Sequence, residues 1–168
     1  MLIISSLQEA HNAFAAHAPN RVISLLSEDE EIPRFDGLPA SRHAKLYVKD
    51  ESCAVSMTNA AKLRAEEIVA IGKEISPSER VLVHCKRGVA RSTAAGFILL
   101  CAALPNTRER DLLRRIVDAA PHADPCPLLV DYADAMLERD GRMSDALDDL
   151  APPRPVLSAP TTLVQQLH

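Results

Sequence analysis

The sequence predicts an α/β fold, with a central, mainly parallel sheet of about four strands flanked by helices. Two observations carry that reading. Short β-rich runs alternate with longer stretches of helical spacing, the pattern of strands joined by helical crossovers. One of those stretches, Ser92–Leu104, is apolar on nearly every side and so belongs inside a layered domain. In such sheets ligands gather at the carboxyl ends of the strands.

Leu2–Ser5 reads as the first strand. Ser6 offers an N-cap with Glu9 three residues on, a capping box opening a helix to about Ala18. Arg21–Leu26 is the second strand. Ser27–His43 is charged and carries Pro33, Gly37 and Pro39, so it reads as a loop; Asp29, Asp36 and the run Glu28–Glu31 look like an exposed acidic segment. Ala44–Val48 is the third strand, ending at Lys49-Asp50-Glu51. From about Thr58 to Ile75, Met57, Ala60, Ala61, Ile68, Ile71 and Ile75 recur at helical spacing. Arg80–His84 is the fourth strand, followed by the apolar helix.

Thr107–Ala120 is amphipathic through Leu112, Leu113, Ile116 and Val117. Another helix follows Pro127, uses Leu129, Tyr132, Ala133, Met136 and Leu137, and stops at Gly141 as its C′ residue. Ser144 caps a last short helix to about Leu150. Residues 151–168 contain Pro152, Pro153, Pro155 and Pro160 without a period, and read as a tail, disordered or extended on the surface. The expected organisation is one domain over 1–150 and a Pro-rich C-terminal tail over 151–168.

Composition narrows the function classes. With 47% hydrophobic and 25% charged residues the chain is an ordinary globular one. A net charge of -4 gives no general attraction for nucleic acid or anionic membranes, so any anion site must be local. The N-terminus, Met1-Leu2-Ile3-Ile4-Ser5, has no basic region and reads as neither signal peptide nor membrane span. Cys53, Cys85, Cys101 and Cys126 are widely spaced, so free thiols in a reducing cytoplasm are the expectation. Cys101, inside the apolar helix, reads as a small hydrophobe. His11, His17, His43 and His122 have no partners at metal spacing and read as surface residues.

The chemistry concentrates in His84-Cys85-Lys86-Arg87-Gly88-Val89-Ala90-Arg91-Ser92, between the fourth strand and the apolar helix. Cysteine attacks only as a thiolate, which a helix N-terminus and nearby cations favour. Backbone N–H groups in the turn can form an anion nest, Gly88 allows conformations a side chain would block, and Arg91 can grip two phosphate oxygens with its planar fork. A nucleophile and an oxyanion holder converging on one atom specify phosphoryl transfer to sulfur.

His-Cys-x5-Arg-Ser in this setting resembles the signature of the cysteine-dependent protein tyrosine phosphatases, in the compact dual-specificity-like, bacterial-type branch. The likeness spans roughly residues 1–150 and includes Arg21–Leu26, Leu46–Asp50, the loop itself, Val130–Asp134 and Gly141-Arg-Met. It implies a phosphatase acting on a phosphorylated protein or other phosphomonoester without metal or other cofactor. Cys85 would form a phosphocysteine, Arg91 would bind the transferring group and Ser92 would assist breakdown of the intermediate. His84 would orient the loop and tune the thiol, and Lys86, Arg87, Gly88, Val89 and Ala90 would complete the phosphate cradle. The resemblance also implies a general acid just past a strand, some thirty-odd residues before the cysteine. Asp50 fits, with Glu51 as its rival.

Three points stay open in the sequence. The related phosphatases often carry Pro-Asn near the start of the late helix, where the asparagine braces the loop; this chain has Pro125-Cys126. That raises Cys126, or Cys53, as a redox partner for Cys85, against the reading of ordinary thiols. Lys86 and Arg87 either select inositol phosphates or phosphoinositides over phosphotyrosine or point outward into solvent. A phosphate-binding module without turnover, or a sulfur-transfer protein, are the rivals to the phosphatase.

Overall fold

The computed structural model describes residues 1–48 and 58–164. Four parallel strands, β1 (Leu2–Ser6), β2 (Arg21–Leu26), β3 (His43–Tyr47) and β4 (Val81–Cys85), form a sheet with an antiparallel fifth, β5 (Thr162–Val164). The spatial order is β3-β2-β4-β1-β5. The sheet therefore has five strands rather than about four. The fifth comes from the segment read as a tail: Leu2 pairs with Val164 and Ile4 with Thr162. β5 is three residues long and preceded by Pro160, too short to show a strand period; only the edge of β1 selects it.

β4 is central, hydrogen-bonded to β1 on one side and β2 on the other, with Ser6 and Leu25 both opposite Cys85. Alternation along the strands divides the core. Leu2, Ile4, Ile23, Leu25, Val81, Val83 and Cys85 face a large helical layer, while Ile3, Val22 and Leu82 face α1 (Ala10–His17) and Phe35. The helical layer contains α2 (Thr58–Glu74), α3 (Arg91–Ala103), α4 (Glu109–Ala119), α5 (Pro127–Met136) and α6 (Arg142–Asp148). Every residue of α3 from Arg91 to Cys101 is buried, as its uniform apolarity requires. No described helix is long and apolar enough to cross a membrane.

Two helix boundaries differ from expectation for tertiary reasons. Ser6 does not cap α1. It is held in the β1–β4 ladder, its hydroxyl has no partner among the described residues, and α1 starts only at Ala10 without a side-chain cap. Gly141 does not end α5, which stops at Met136. With φ at +83° it starts α6, because the buried carboxylate of Asp134 accepts hydrogen bonds from Gly141 N–H and Met143 N–H, both at 2.7 Å. A side chain from the preceding helix thus satisfies the free N–H groups of the next.

α2 and α3 meet at Gly72. A Cβ there would lie 2.6 Å from the Ala102 methyl and 3.3 Å from the Leu99 backbone. Gly72→Ala is therefore expected to destabilise the fold by about 1–3 kcal/mol through overpacking, outweighing the helix-propensity gain of about 1 kcal/mol. A urea midpoint at or above that of the unmodified protein would show that the helices part without cost.

Candidate active site: a thiol loop at the end of the central strand

The loop from Cys85 to Ser92 leaves the carboxyl end of β4 and enters α3, placing Cys85 at 2% exposure and Arg91 at 2%. Four of its carbonyls are bound by three separate parts of the chain. Lys86 O accepts from Leu7 N–H (3.2 Å), Arg87 O from Ala159 N–H (2.8 Å), Val89 O from Asp124 N–H (3.1 Å) and Ala90 O from Cys126 N–H (3.4 Å). The Thr93 hydroxyl donates to Val89 O as well. In a trans peptide the C=O and the following N–H point in opposite directions. Anchoring these carbonyls in the scaffold directs the N–H groups of Arg87, Gly88, Ala90 and Arg91 the other way. Gly88 shows the result: its N–H donates to Cys85 Sγ at 3.2 Å. A φ of +74° and the Ser6 backbone, 2.7 Å from where a Cβ would sit, admit no other residue there without strain.

The thiol has a second neighbour in Ser92 Oγ, 3.2 Å from Sγ. Arg91 is oriented by groups outside the loop. Its Nη1 donates to Val48 O at 2.7 Å and to Ser27 Oγ at 3.4 Å, and lies 3.5 Å from Glu30 Oε2. Glu30 was expected in an exposed acidic run; its side chain is only 8% exposed and also pairs with Lys86 Nζ at 3.1 Å. Burial works against the Glu30 carboxylate, but the Ser27 N–H, Lys86 and Arg91 outweigh it, and the group titrates below the ordinary carboxylate range. Acidic neighbours in sequence gave no sign of this, because only the turn Ser27–Glu30 aims this one inward: Ser27 N–H donates to Glu30 Oε2 at 2.7 Å.

The two additional loop cations are both engaged. Lys86 is on Glu30. Arg87 Nη2 donates to Val156 O at 2.8 Å and Nε to Leu157 O at 3.4 Å. At the approach to α5, the main chain of Asp124 and Cys126 carries the hydrogen bonds that brace the loop. No disulfide links the described cysteines Cys85, Cys101 and Cys126, and burial pushes the Cys101 thiol up to about 12. Asp50, Glu51 and Cys53 lie outside the described residues.

His84 faces away from the helical layer, toward Phe35 with ring centroids 6.0 Å apart. Its Nε2 is 2.7 Å from Ser24 Oγ on β2, and His43 Nε2 is 2.8 Å from the same oxygen. His84 Nδ1 is buried without a partner among the described residues. An unsatisfied acceptor is commoner than an unsatisfied N–H, so the His84 proton belongs on Nε2, donating to Ser24, whose own proton goes to His43. His43 and His122 are not surface residues: the first is half-buried and the second is 6% exposed.

Burial, with His43 and His11 nearby, lowers His84 from 6.5 to about 3; burial and Lys45 lower His43 to about 4. The folded protein thus refuses protons that the unfolded chain accepts below pH 6.5. Stability from this pair is complete above that pH and is lost as pH falls toward 3–4. His84→Gln should flatten the decline in urea midpoint between pH 7 and pH 4; an undiminished decline would place the acid sensitivity elsewhere.

No protein-family model matches the chain, and no curated protein shows significant similarity to it. Among solved structures it resembles DUSP15 at 16% identity and a TM-score of 0.59, covering 89% of this chain and 92% of that one. Human DUSP28 matches at 18% identity and 0.58, over 82% and 94%. PTPMT1 in complex with PI(5)P matches at 14% identity and 0.51, over 83% and 94%. Identities this low speak for architecture, and the chain has the fold of the dual-specificity phosphatases.

Proposed function

We propose that the protein is a cysteine-dependent phosphomonoester hydrolase of the protein tyrosine phosphatase type. The observation that carries this reading is the Cys85 thiol at the end of β4, within hydrogen-bond reach of Gly88 N–H and Ser92 Oγ. The Cys85 thiolate attacks phosphorus, forming the S–P bond as the ester P–O bond breaks. Asp50 delivers a proton to the leaving oxygen. Arg91 and the loop N–H groups hold the three equatorial oxygens, in the manner of an oxyanion hole. Water then attacks the phosphocysteine, inorganic phosphate leaves, and the Ser92 hydroxyl stabilises the departing thiolate. Residues 86–90 contribute through their backbone, which is what the outward-bound carbonyls of Lys86, Arg87, Val89 and Ala90 support. A reducing, cytoplasmic setting suits such a thiol.

The substrate we favour is a phosphorylated protein, phosphotyrosine first. Lys86 is held by Glu30 and Arg87 by main-chain carbonyls, so neither is offered to a second phosphate. This supports a monoester over an inositol polyphosphate, although a solved relative carries PI(5)P. Lys86 is 58% exposed, and such a pair is worth only about 0–1 kcal/mol, so it can be released. Glu30→Gln should therefore raise the ratio of kcat/KM for inositol bisphosphate to that for a phosphotyrosine peptide severalfold. An unchanged ratio would mean that Glu30 plays no part in selectivity.

Turnover of para-nitrophenyl phosphate tests the reaction. Cys85→Ser should abolish it; a residual rate equal to that of the unmodified protein would leave a phosphate-binding module. Asp50→Asn should cost about 10²–10⁴-fold on esters with poor leaving groups and little on good ones. A uniform loss would move the acid to Glu51 or beyond.

A further inference from the structure

The C-terminal segment reaches the catalytic loop and is fastened on both sides of it. Arg154 N–H donates to Pro121 O at 3.0 Å, in the connection between α4 and α5. At the other end β5 completes the sheet against β1, with Thr162 and Val164 buried. Between these anchors the segment crosses the loop at Arg87 and Gly88. The Arg87 guanidinium donates to the carbonyls of Val156 and Leu157, and Ala159 N–H donates back to Arg87 O. The Ala159 methyl, itself 1% exposed, lies 2.9 Å from where a Gly88 Cβ would be. Pro155 and Pro160 favour the extended backbone such a crossing needs and lower the entropy lost on ordering it.

We propose that residues 154–164 form a strap that sets the position of the phosphate loop, and that Arg87 is the positioning residue that fastens the two together. The argument runs through one peptide plane. Arg87 C=O and Gly88 N–H belong to the same trans peptide and point in opposite directions. Pulling the carbonyl toward Ala159 N–H turns the amide toward Cys85 Sγ, where it lies at 3.2 Å. Lost anchoring lets this plane rotate, and with it goes one of the N–H groups that would face the phosphoryl oxygens. The Arg87 side chain thus acts on catalysis from the outer surface of the loop, through the strap, and touches no substrate.

The proposal rests on the phosphatase reading of the site, and its test separates the two. Arg87→Ala and Arg87→Lys are compared with the unmodified chain for kcat and KM on para-nitrophenyl phosphate, for orthovanadate affinity by calorimetry, and for thermal midpoint. Deletion of residues 154–168 is the stronger variant, and Arg87→Ala keeps the test decisive if that deletion does not fold. Arg87→Ala should lower kcat by about tenfold, given the rate cost of sub-ångström misplacement. It should weaken vanadate in proportion and leave KM within about twofold. Arg87→Lys, which keeps one donor for Val156 O, should recover part of the loss. A raised KM with unchanged kcat would make Arg87 a substrate-binding cation and overturn the proposal. So would a lowered thermal midpoint with unchanged kcat and vanadate affinity. If the unmodified protein turns over no ester yet binds vanadate, the phosphatase reading fails while the vanadate comparison still decides the strap. If it binds no vanadate, both fall.

Discussion

The loop that carries Cys85 depends on where its carbonyl groups go. A peptide plane has a donor on one side and an acceptor on the other, and a cradle for an anion needs the donors on one concave face. The acceptors must then be satisfied on the convex face, or the buried loop would carry unpaired polar groups at a cost of about 1–3 kcal/mol each. Here Leu7, Ala159, Asp124 and Cys126 supply those partners. They come from the end of β1, the C-terminal segment and the approach to α5, and so the whole arrangement of strands and helices around β4 serves to hold one turn. Gly88 is the point of closest approach, pressed between Ser6 and Ala159.

Electrostatics around the loop follow from the same packing. Lys86 and Arg91 flank one strand end, and the Glu30 carboxylate pairs with both. It bridges Lys86 at the rim and Arg91 in the interior, while Ser27 fixes it through the backbone. A buried guanidinium without such partners would be costly. Val48 O and Ser27 Oγ add neutral acceptors, so residues just past the ends of β2 and β3 help hold Arg91 in place. On the opposite face of the sheet, Ser24 joins His43 to His84 under Phe35 and ties β2, β3 and β4 together at the level of Cys85.

Much of this was legible in the chain. β2 falls where the run Arg-Val-Ile-Ser-Leu-Leu places it, and β4, α2 and α3 lie within a residue or so of expectation, because each carries a local signal, helical spacing in α2 and continuous apolar runs in β4 and α3. Cys85, Gly88, Arg91 and Ser92 stand together because their spacing is itself local: a strand, a turn and a helix start within nine residues. Other features had no local signal. Thr162–Val164 is indistinguishable in sequence from the coil before it, and becomes a strand only because β1 offers an unpaired edge. Ser6 and Glu9 make a convincing capping pair on paper, but the ladder with β4 takes Ser6 first. Glu30 is one acid among several until its turn points it at Arg91.

The sequence by itself determined the α/β class, the apolar helix at its centre and the thiol–guanidinium loop between them, since each is written in residues close along the chain. The tertiary structure alone decided the fate of the charges and of the C-terminal segment. Whether Lys86 and Arg87 face a substrate or the protein depends on Glu30 and on Val156 and Leu157, tens of residues away. Pairings of that kind arise when distant segments are brought to one strand end, and no pattern of neighbouring residues encodes them.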